Sequence, residues 1–285
     1  MKLIMKTAPD RWLAALLGGV LAAPASAAAQ EDVDELARKV SNPASYMISV
    51  PIHTDIDFAD SADGETERAL LDIEPVLPFR LNESWNLISH TDFPLGYVNA
   101  PGEGAVFGLG DVAQTLSFTP AGRRPFIWAA GLQASLPTAT SRELGSGKFS
   151  LGPSILLLRQ TTALTAGLSA SHLWSVAGRD DRDRVSLTEL HPFLAWHIGG
   201  GRTISTNIDA TYDWRTEEWD APIGASFSQV TRLGGQMMSL SVGAKYWLKT
   251  PEDRGEWGLT AGVTLLFPQG APATARSSAG PGSAP

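Results

Sequence analysis

The side chains of this chain that could do chemistry are its histidines and carboxylates, but their spacing matches no common catalytic motif. A serine hydrolase needs a serine, a histidine and an acid or amide within hydrogen-bond reach, and neither G-x-S-x-G nor H-x-S occurs. Zinc enzymes often carry H-x-x-H or HExxH, and both are absent. Without any cysteine, disulfides and thiolate chemistry are excluded. We therefore predict no catalytic residue and no metal site.

Two further patterns match functional motifs by their letters. Residues 108–113 fit G-x-G-x-x-A, but a dinucleotide loop must open a helix, and the strand-like run QTLSFTP follows here. Glycines that let a strand bend explain this run better. The pairs Asp55/Asp57 and Asp72/Glu74 have the residue types of a glycosidase, but a spacing of two is also the ordinary alternation of a strand. The sequence therefore predicts no cofactor.

Composition narrows the class of protein. The net charge of −8 and the pI near 5.1 argue against nucleic acid as a partner, because phosphate binding needs patches of lysine and arginine. The mean hydropathy of −0.03 argues against helical membrane spans. Nine Trp and ten Phe are many large rings for a chain so rich in glycine and proline. A closed, hydrogen-bonded barrel would supply the rigidity that disulfides cannot.

The N-terminus has the three-part plan of a secretory signal. Lys2, Lys6 and Arg11 make a basic start, an apolar run covers 12–23, and a stretch of small residues with A-x-A sites follows. A membrane-spanning helix would need about 20 apolar residues, and this run is shorter. We predict a Sec-type signal peptide over 1–29 and export from a Gram-negative cytoplasm.

A short amphipathic helix and its linker are predicted over 30–44. Val33, Leu36, Ala37 and Val40 recur at i, i+3, i+4 and i+7, so they share one face of a helix. The Asn-Pro pair that follows ends the helix. This element is expected on the periplasmic side.

From residue 45 onwards the hydrophobic period changes from 3.6 to 2. Near the end of the chain, for example, Trp257, Leu259 and Ala261 alternate with glycine and threonine, as expected of a strand. This pattern predicts an all-β domain over 45–268, and a disordered Pro/Gly/Ala/Ser tail over 269–285. The predicted strands are 46–58, 66–80, 85–97, 106–118, 125–137, 149–159, 163–175, 187–198, 203–214, 219–230, 236–247 and 257–267.

A soluble sandwich or lipocalin-like barrel would also alternate, with its apolar face inward. Three features favour an apolar face that points outward to lipid. Acidic residues occupy mid-strand positions on the polar face, short turns alternate with longer connections, and large rings cluster at strand ends, as in outer-membrane barrels. We predict a transmembrane antiparallel β-barrel of about 12 strands. The clustered rings are Tyr46, Phe58, Trp85, Tyr97, Trp174, Trp214, Trp219, Trp247, Trp257 and Phe267.

The two sets of connections also differ in charge. The short turns carry six arginines against one glutamate. The barrel is therefore expected to have a basic periplasmic end and an acidic outer end. The longer loops, 59–67, 98–106, 138–148, 176–185, 215–220 and 248–256, have net charges of −4, −1, +1, 0, −2 and −1.

The polar face of the strands predicts the lining of the lumen. Carboxylate rings favour cations in a pore, whereas a closed network of salt bridges would seal the barrel. An eight-stranded barrel is filled by its side chains, and porins of about 16–18 strands have a wide channel. A barrel of about 12 strands has an intermediate diameter, so we expect a narrow lumen. The lumen-lining candidates are His53, Asp55, Asp57, Asp72, Glu74, His90, Asp92, Asp209, Asp213 and Lys245. The helix is expected to close the lumen through Val33, Leu36 and Val40 against Met47, Val76 and Ile88.

Ten short runs spread across about 35–268 form a recognisable set: NP at 42, ISVP at 48, IEPVLP at 73, WNLI at 85, GLGD at 108, LPTAT at 136, LGSGK at 144, HLWSVAG at 172, YDW at 212 and LFP at 266. Together they resemble one family of proteobacterial outer-membrane β-barrel "transporter" proteins. This family is related to the MetA-pathway of phenol degradation proteins and is often mislabelled neuromedin U. The resemblance implies a barrel but transfers no catalytic or ligand residue. Unlike typical members, this chain continues after its last Phe-Pro.

These features together predict a non-enzymatic outer-membrane barrel that acts as a narrow passive channel for small solutes. The family resemblance points to small organic or aromatic compounds. A sealed structural or surface-interaction barrel is the first alternative, and an outer-membrane barrel enzyme is the second. The expected partners are outer-membrane lipid, the barrel-assembly machinery during biogenesis and a small-molecule solute.

Overall fold

The computed structural model describes residues 27–61, 64–100, 104–122, 124–250 and 256–268. Most of the predicted signal peptide and all of the predicted tail lie outside these residues. The described chain forms one helix, α1, and one antiparallel sheet of twelve strands that closes on itself. The predicted fold class is therefore confirmed.

The twelve strands follow chain order around the barrel, and each pairs with its neighbours in sequence. Helix α1 is Ala27–Val40. Strand β1 is Ile48–Ser61, β2 is Gly64–Ile73 with Val76–Arg80, β3 is Trp85–Ala100, β4 is Gly104–Leu109 with Val112–Pro120, β5 is Phe126–Leu136 and β6 is Lys148–Gln160. Strand β7 is Leu164–Gly178, β8 is Ser186–Gly199, β9 is Arg202–Ile208 with Ala210–Asp213, β10 is Glu218–Leu233, β11 is Gln236–Lys249 and β12 is Trp257–Phe267.

Closure comes from the pairing of β1 with β12, which runs from Ile48 opposite Phe267 to Phe58 opposite Trp257. Because this pair joins the first strand to the last, no strand of the described sheet is left with an unpaired edge. A β-sheet avoids exposed backbone donors and acceptors most completely in this way.

The two-residue period decides which side chains face outward. On β11, Val242 and Ala244 are exposed on the outer surface, while the intervening Ser241 and Gly243 face the lumen. Large apolar side chains elsewhere, such as Leu132 and Ile155, are also exposed on the outer surface. An apolar exterior around a polar interior is the pattern of a membrane-facing barrel. None of the helices in the described part of the chain is long and apolar enough to cross a membrane.

One irregularity in β4 matters for the interior. Leu95 lies opposite Leu109, but Asp92 lies opposite Ala113, so β4 contains one extra residue at Gly110-Asp111. Such a bulge interrupts the alternation and redirects a side chain. Because of this bulge, both Gly108 and Ala113 face the lumen although they are an odd number of residues apart. Asp111 at the bulge contacts the segment 137–147.

The two ends of the barrel differ in their connections. At the turn end, strands are joined by the turns 81–84, 121–125, 161–163, 200–201 and 234–235. The opposite end, called the loop end below, carries the longer connections. The longest of these are 137–147, 179–185 and 250–256. Two expected loops, 59–67 and 98–106, are mostly strand, because β1 pairs with β2 out to Ser61–Gly64 and β3 pairs with β4 out to Ala100–Gly104. Backbone pairing continues there without an apolar pattern to indicate it.

Aromatic residues of the outer surface lie near both ends of the barrel. At the turn end, Trp85 and Trp128 have ring centroids 5.7 Å apart, and two more ring pairs lie at the loop end. Phe58 stacks on Trp257 with ring centroids 4.4 Å apart, and Tyr212 lies 4.9 Å from Trp219. Trp247, which was also expected at the outer surface, instead faces the lumen. It is 5% exposed, and its indole Nε1 donates to Asp220 at 2.8 Å. Strand β11 alternates regularly, and Trp247 shares the inward parity of Lys245 two residues before it. The position of Trp247 at a strand end therefore did not place it on the outer surface.

The orientation of the barrel wall can be tested on β11. Val242→Arg should lower the free energy of unfolding by about 2–4 kcal/mol, because it places a charge against lipid near the middle of the strand. The neighbouring lumen-facing change Ser241→Arg should cost much less, because it meets water and carboxylates. Urea unfolding in lipid vesicles, followed by tryptophan fluorescence, measures both. Equal losses for the two variants would contradict the inside and outside assignment.

Candidate functional site

Helix α1 lies inside the turn end of the barrel. Leu36 and Ala37 are buried there, with Val33 and Val40 packed beside them. Their surface on the barrel consists of Met47, Val230, Met237 and Leu266. A helix of this length is marginal in isolation, so this apolar contact supplies the stability that the helix lacks.

Two polar contacts fix the position of α1. Its Asp34 Oδ1 accepts a hydrogen bond from the Gly201 amide at 2.6 Å, and its Arg38 carbonyl accepts one from Gln160 Nε2 at 2.8 Å. Gly201 has a φ of 70°, and a Cβ atom there would lie 3.1 Å from the Cβ of Val33. Glycine at this turn therefore permits both the backbone conformation and the close approach of the helix.

The docking surface differs from the expected one. Met47 belongs to it, but Val76 and Ile88 do not. Ala44, in the linker after α1, lines the same cavity as Ile88. The helix itself packs against Val230, Met237 and Leu266, which belong to β10, β11 and β12.

The linker adds a second apolar contact at this end. Ala44 packs in a buried cluster with Ala129, Leu156 and Leu158, and Phe193 packs against it from β8. The side chain of Asn42 accepts the Ala44 amide at 3.0 Å, which holds the linker in its turn. Helix and linker together constrict the turn end of the lumen.

Beyond this constriction lies a central cavity of about 600 Å³. Its described lining includes four carboxylates and three histidines, but no lysine or arginine. The interior is therefore acidic at this level. The ionisable residues of the lining are His53, Glu74, His90, Asp92, Glu189, His191 and Asp209.

One wall of the central cavity carries a histidine–carboxylate network from β1, β2 and β3. His53 Nε2 lies 3.3 Å from Asp72 and 3.7 Å from Glu74. His90 Nε2 lies 3.2 Å from the other Glu74 oxygen. Asp92, next to this network, has one buried carboxylate oxygen without a hydrogen-bond partner among the described residues. The two histidines thus contact Asp72 and Glu74, whereas one oxygen of Asp92 has no such contact among the described residues.

The opposite wall carries a second network from β8 and β9. His191 Nδ1 lies 3.0 Å from Asp209, which also accepts Asn207 Nδ2 at 2.6 Å. Glu189 accepts Gln133 Nε2 at 2.8 Å and Ser171 Oγ at 2.6 Å. His191, Asn207 and Gln133 are not among the sequence candidates for the lumen, although their strand positions share the inward parity.

The other candidates lie inside the barrel but away from the central cavity. Lys245 Nζ bridges Asp55 at 2.9 Å and Asp57 at 2.8 Å, and this trio is not part of the cavity lining. Asp72 is buried behind His53. Asp213 lies at the loop end, where it accepts the Arg215 amide at 2.8 Å. Half of the lumen-lining candidates therefore line the central cavity, and the other half lie elsewhere inside the barrel. Among the described residues, no group of three or more histidines and carboxylates is arranged to hold a metal ion.

The loop end is constricted by the segment 137–147, which folds inward. Leu144 packs against Gly96, where an added Cβ would lie 2.8 Å from its Cδ2. Asp111 at the bulge holds the segment by accepting the Ala139 amide at 3.1 Å and the Ser146 amide at 2.6 Å. Glycines on the wall thus make room for the segment, and the half-buried carboxylate of Asp111 anchors it.

Among the described residues, a serine and a histidine also approach each other on the outer surface. Ser186 Oγ lies 3.5 Å from His172 Nε2, which is long for a hydrogen bond. The other ring nitrogen, Nδ1, contacts the Thr188 hydroxyl at 2.7 Å instead of a carboxylate or amide. This arrangement lacks the acid or amide that orients the histidine of a serine hydrolase.

Comparison with known proteins finds likeness in fold alone. No protein-family model matches the chain, and no curated protein matches it. A crystal structure of an outer membrane channel from Pseudomonas putida F1 is similar, with a TM-score of 0.64 and 12% identity over 79% of this chain and 99% of that chain.

Two more distant structures are a NanC porin and an outer membrane phospholipase from Salmonella typhi. The porin has a TM-score of 0.47 and 11% identity over 76% of this chain and 98% of its own. The phospholipase has a TM-score of 0.43 and 11% identity over 84% and 98%. Both scores lie well below that of the Pseudomonas channel, which shares the barrel fold of this chain.

Docking of α1 can be tested by proteolysis. Leu36→Asp should release the helix, because it buries an unpaired charge in the apolar contact, and trypsin should then cleave after Arg38 or Lys39. Glu35→Gln is the control, because Glu35 lies outside the apolar contact and pairs with Lys39 at 3.0 Å on a solvent-accessible face of the helix, where an i,i+4 pair is worth about 0.3–0.5 kcal/mol. Mass spectrometry of the N-terminal fragment measures cleavage. Equal resistance of both variants would show that the helix does not depend on this contact.

Proposed function

We propose that this chain is an outer-membrane β-barrel that forms a narrow channel for small solutes. The observation that supports this most directly is the polar central cavity of about 600 Å³ inside a barrel whose outer wall is apolar. A sealed structural barrel would be expected to fill its interior with packed side chains, as small barrels do.

The apolar exterior supports the location. Outward-facing residues such as Leu132, Ile155 and Val242 are 56%, 44% and 41% exposed, more apolar surface than a soluble protein leaves open to water. Together with the rings of Phe58 and Trp257, these residues suit a lipid surface with an aromatic girdle. The turn end would then face the periplasm, because short turns lie on that side of outer-membrane barrels.

Movement of the constrictions would control passage. The helix and its linker narrow the periplasmic end, and the segment 137–147 narrows the outer end. Helix α1 is the better candidate for the movable element, because its described contacts with the wall are hydrogen bonds at Asp34 and Arg38 and one apolar cluster, whereas the strands are joined by continuous backbone pairing. A solute of this channel must be small enough to pass beside these elements. The family resemblance favours small organic or aromatic compounds.

Deleting residues 31–40 tests both the channel and its constriction. The deletion should leave the barrel folded, because it removes no strand, and should raise single-channel conductance by widening the periplasmic mouth. Planar-bilayer recordings measure the conductance, and faster migration of unboiled samples on gels checks folding. Leu36→Asp should act in the same direction at full chain length, whereas Glu35→Gln should not. A folded deletion variant without conductance would favour the sealed structural barrel instead.

The acidic cavity predicts a preference for cations over anions. Replacing two of its carboxylates by Asp92→Asn and Asp209→Asn should reduce the ratio of potassium to chloride permeability. Glu83→Gln is the control, because Glu83 is exposed in a turn outside the cavity. Reversal potentials under a KCl gradient give the ratio. A wild-type channel that prefers chloride, or a ratio unaffected by both cavity substitutions, would contradict the role of these carboxylates.

A further inference from the structure

A second cavity, of about 520 Å³, opens at the loop end between the segments 137–147 and 179–185. Its lining differs from that of the central cavity, because it contains three arginines and a single carboxylate. The polar side chains that line it are Asp111, Thr140, Ser141, Arg142, Arg179 and Arg182. Its volume lies in the range of small-molecule sites.

The single lining carboxylate already has its hydrogen-bond donors. Asp111 accepts the Ala139 amide through one oxygen, and the amide and hydroxyl of Ser146 through the other, at 2.6 and 2.7 Å. These bonds hold the inward-folded segment. Asp111 is therefore engaged as a structural anchor and does not pair with the arginines.

Arg182 is fixed on the wall of this cavity by backbone carbonyls. Its Nε donates to the Ser146 carbonyl at 3.0 Å, and its Nη2 donates to the carbonyls of Arg142 and Gly145. Carbonyls orient the guanidinium without neutralising it. The position of this positive charge is thus set in advance of any ligand, which lowers the cost of binding.

The other two arginines share one carboxylate. Arg179 binds both oxygens of Asp181 at 2.9 Å, and Arg142 Nη1 binds one of them at 2.9 Å. These guanidinium groups hold the pKa of Asp181 well below its usual range. Asp181 lines a neighbouring cavity and not this one. This cavity is therefore bordered by the guanidinium groups of Arg142 and Arg179, which share Asp181 as a partner outside it.

The loop segments that border this cavity also differ in net charge from the other loops at this end of the barrel. The loops 59–67, 98–106, 215–220 and 248–256 all carry net negative charge. The segments 137–147 and 179–185, by contrast, together carry four arginines and four carboxylates, so they are neutral. An anion that approaches an acidic rim therefore meets its most favourable potential here.

We propose that Arg142, Arg179 and Arg182 form a binding site for the carboxylate group of a small solute at the outer mouth. Guanidinium groups bind carboxylates through paired, charge-assisted hydrogen bonds. Arg142 and Arg179 are 55% and 62% exposed, so both can reach a solute that enters from outside. The site goes beyond the proposed channel, because it concerns capture at the mouth and does not depend on passage through the lumen.

The binding step can be measured without transport, so a barrel that fails to conduct would leave this test valid. Isothermal titration calorimetry of the purified full-length barrel in detergent should detect binding of benzoate. The neutral analogue benzamide should not bind detectably, because it offers no charge to the arginines. The double variant Arg142→Gln with Arg179→Gln should weaken benzoate binding about tenfold or more.

Arg184→Gln is the matched control. Arg184 lies in the same loop but does not line this cavity. The benzoate affinity of this variant should therefore stay within about twofold of the wild-type value. Losing a charged hydrogen bond would change it by more. Unboiled migration on gels confirms that each variant is folded. Three results would overturn the proposal: no benzoate binding by the wild-type protein, equal affinity of the double variant, or benzamide binding as tight as benzoate. Inorganic phosphate binding tighter than benzoate would overturn the assignment to carboxylates.

Discussion

Closure of the backbone hydrogen-bond ladder between β1 and β12 is the constraint on which the rest of this structure depends. In a lipid surrounding, unpaired backbone groups have no water to satisfy them, so a sheet must leave no open edge. The pairing from Ile48–Phe267 to Phe58–Trp257 meets that requirement. It also forces every strand to divide its side chains between an enclosed lumen and an outer surface.

Enclosure creates a second problem, because twelve strands leave more interior than their own side chains fill. The chain resolves it differently at each end. At the turn end, α1 and Ala44 bring apolar side chains into the lumen. At the loop end, Asp111 anchors an inward segment over wall glycines such as Gly96. Between these constrictions the interior stays open and polar, unlike the interior of a small barrel that is filled by its own side chains.

Charge is distributed along the axis of the barrel in three levels. Arginine-rich turns lie at the turn end, carboxylates dominate the central cavity, and an arginine-lined cavity lies at the loop end. Asp111 and Ala113 border the outer and central cavities from the same strand, so the two cavities follow one another along β4. A solute would therefore meet guanidinium groups before carboxylates. This order favours molecules that carry both a carboxylate and a group that carboxylates attract.

The sequence by itself determined the strands, their number and the direction of most side chains, because an alternation of period two is a local property of each segment. The amphipathic helix and the acidic lumen around Glu74 and Asp92 followed from the same kind of pattern. The tertiary structure alone decided that α1 docks on β10–β12 instead of near Val76 and Ile88, and that Arg142 and Arg179 meet at Asp181. These features depend on contacts between distant strands and loops. Strand stagger, bulges and loop folding set such contacts, and no short-range pattern of residues encodes them.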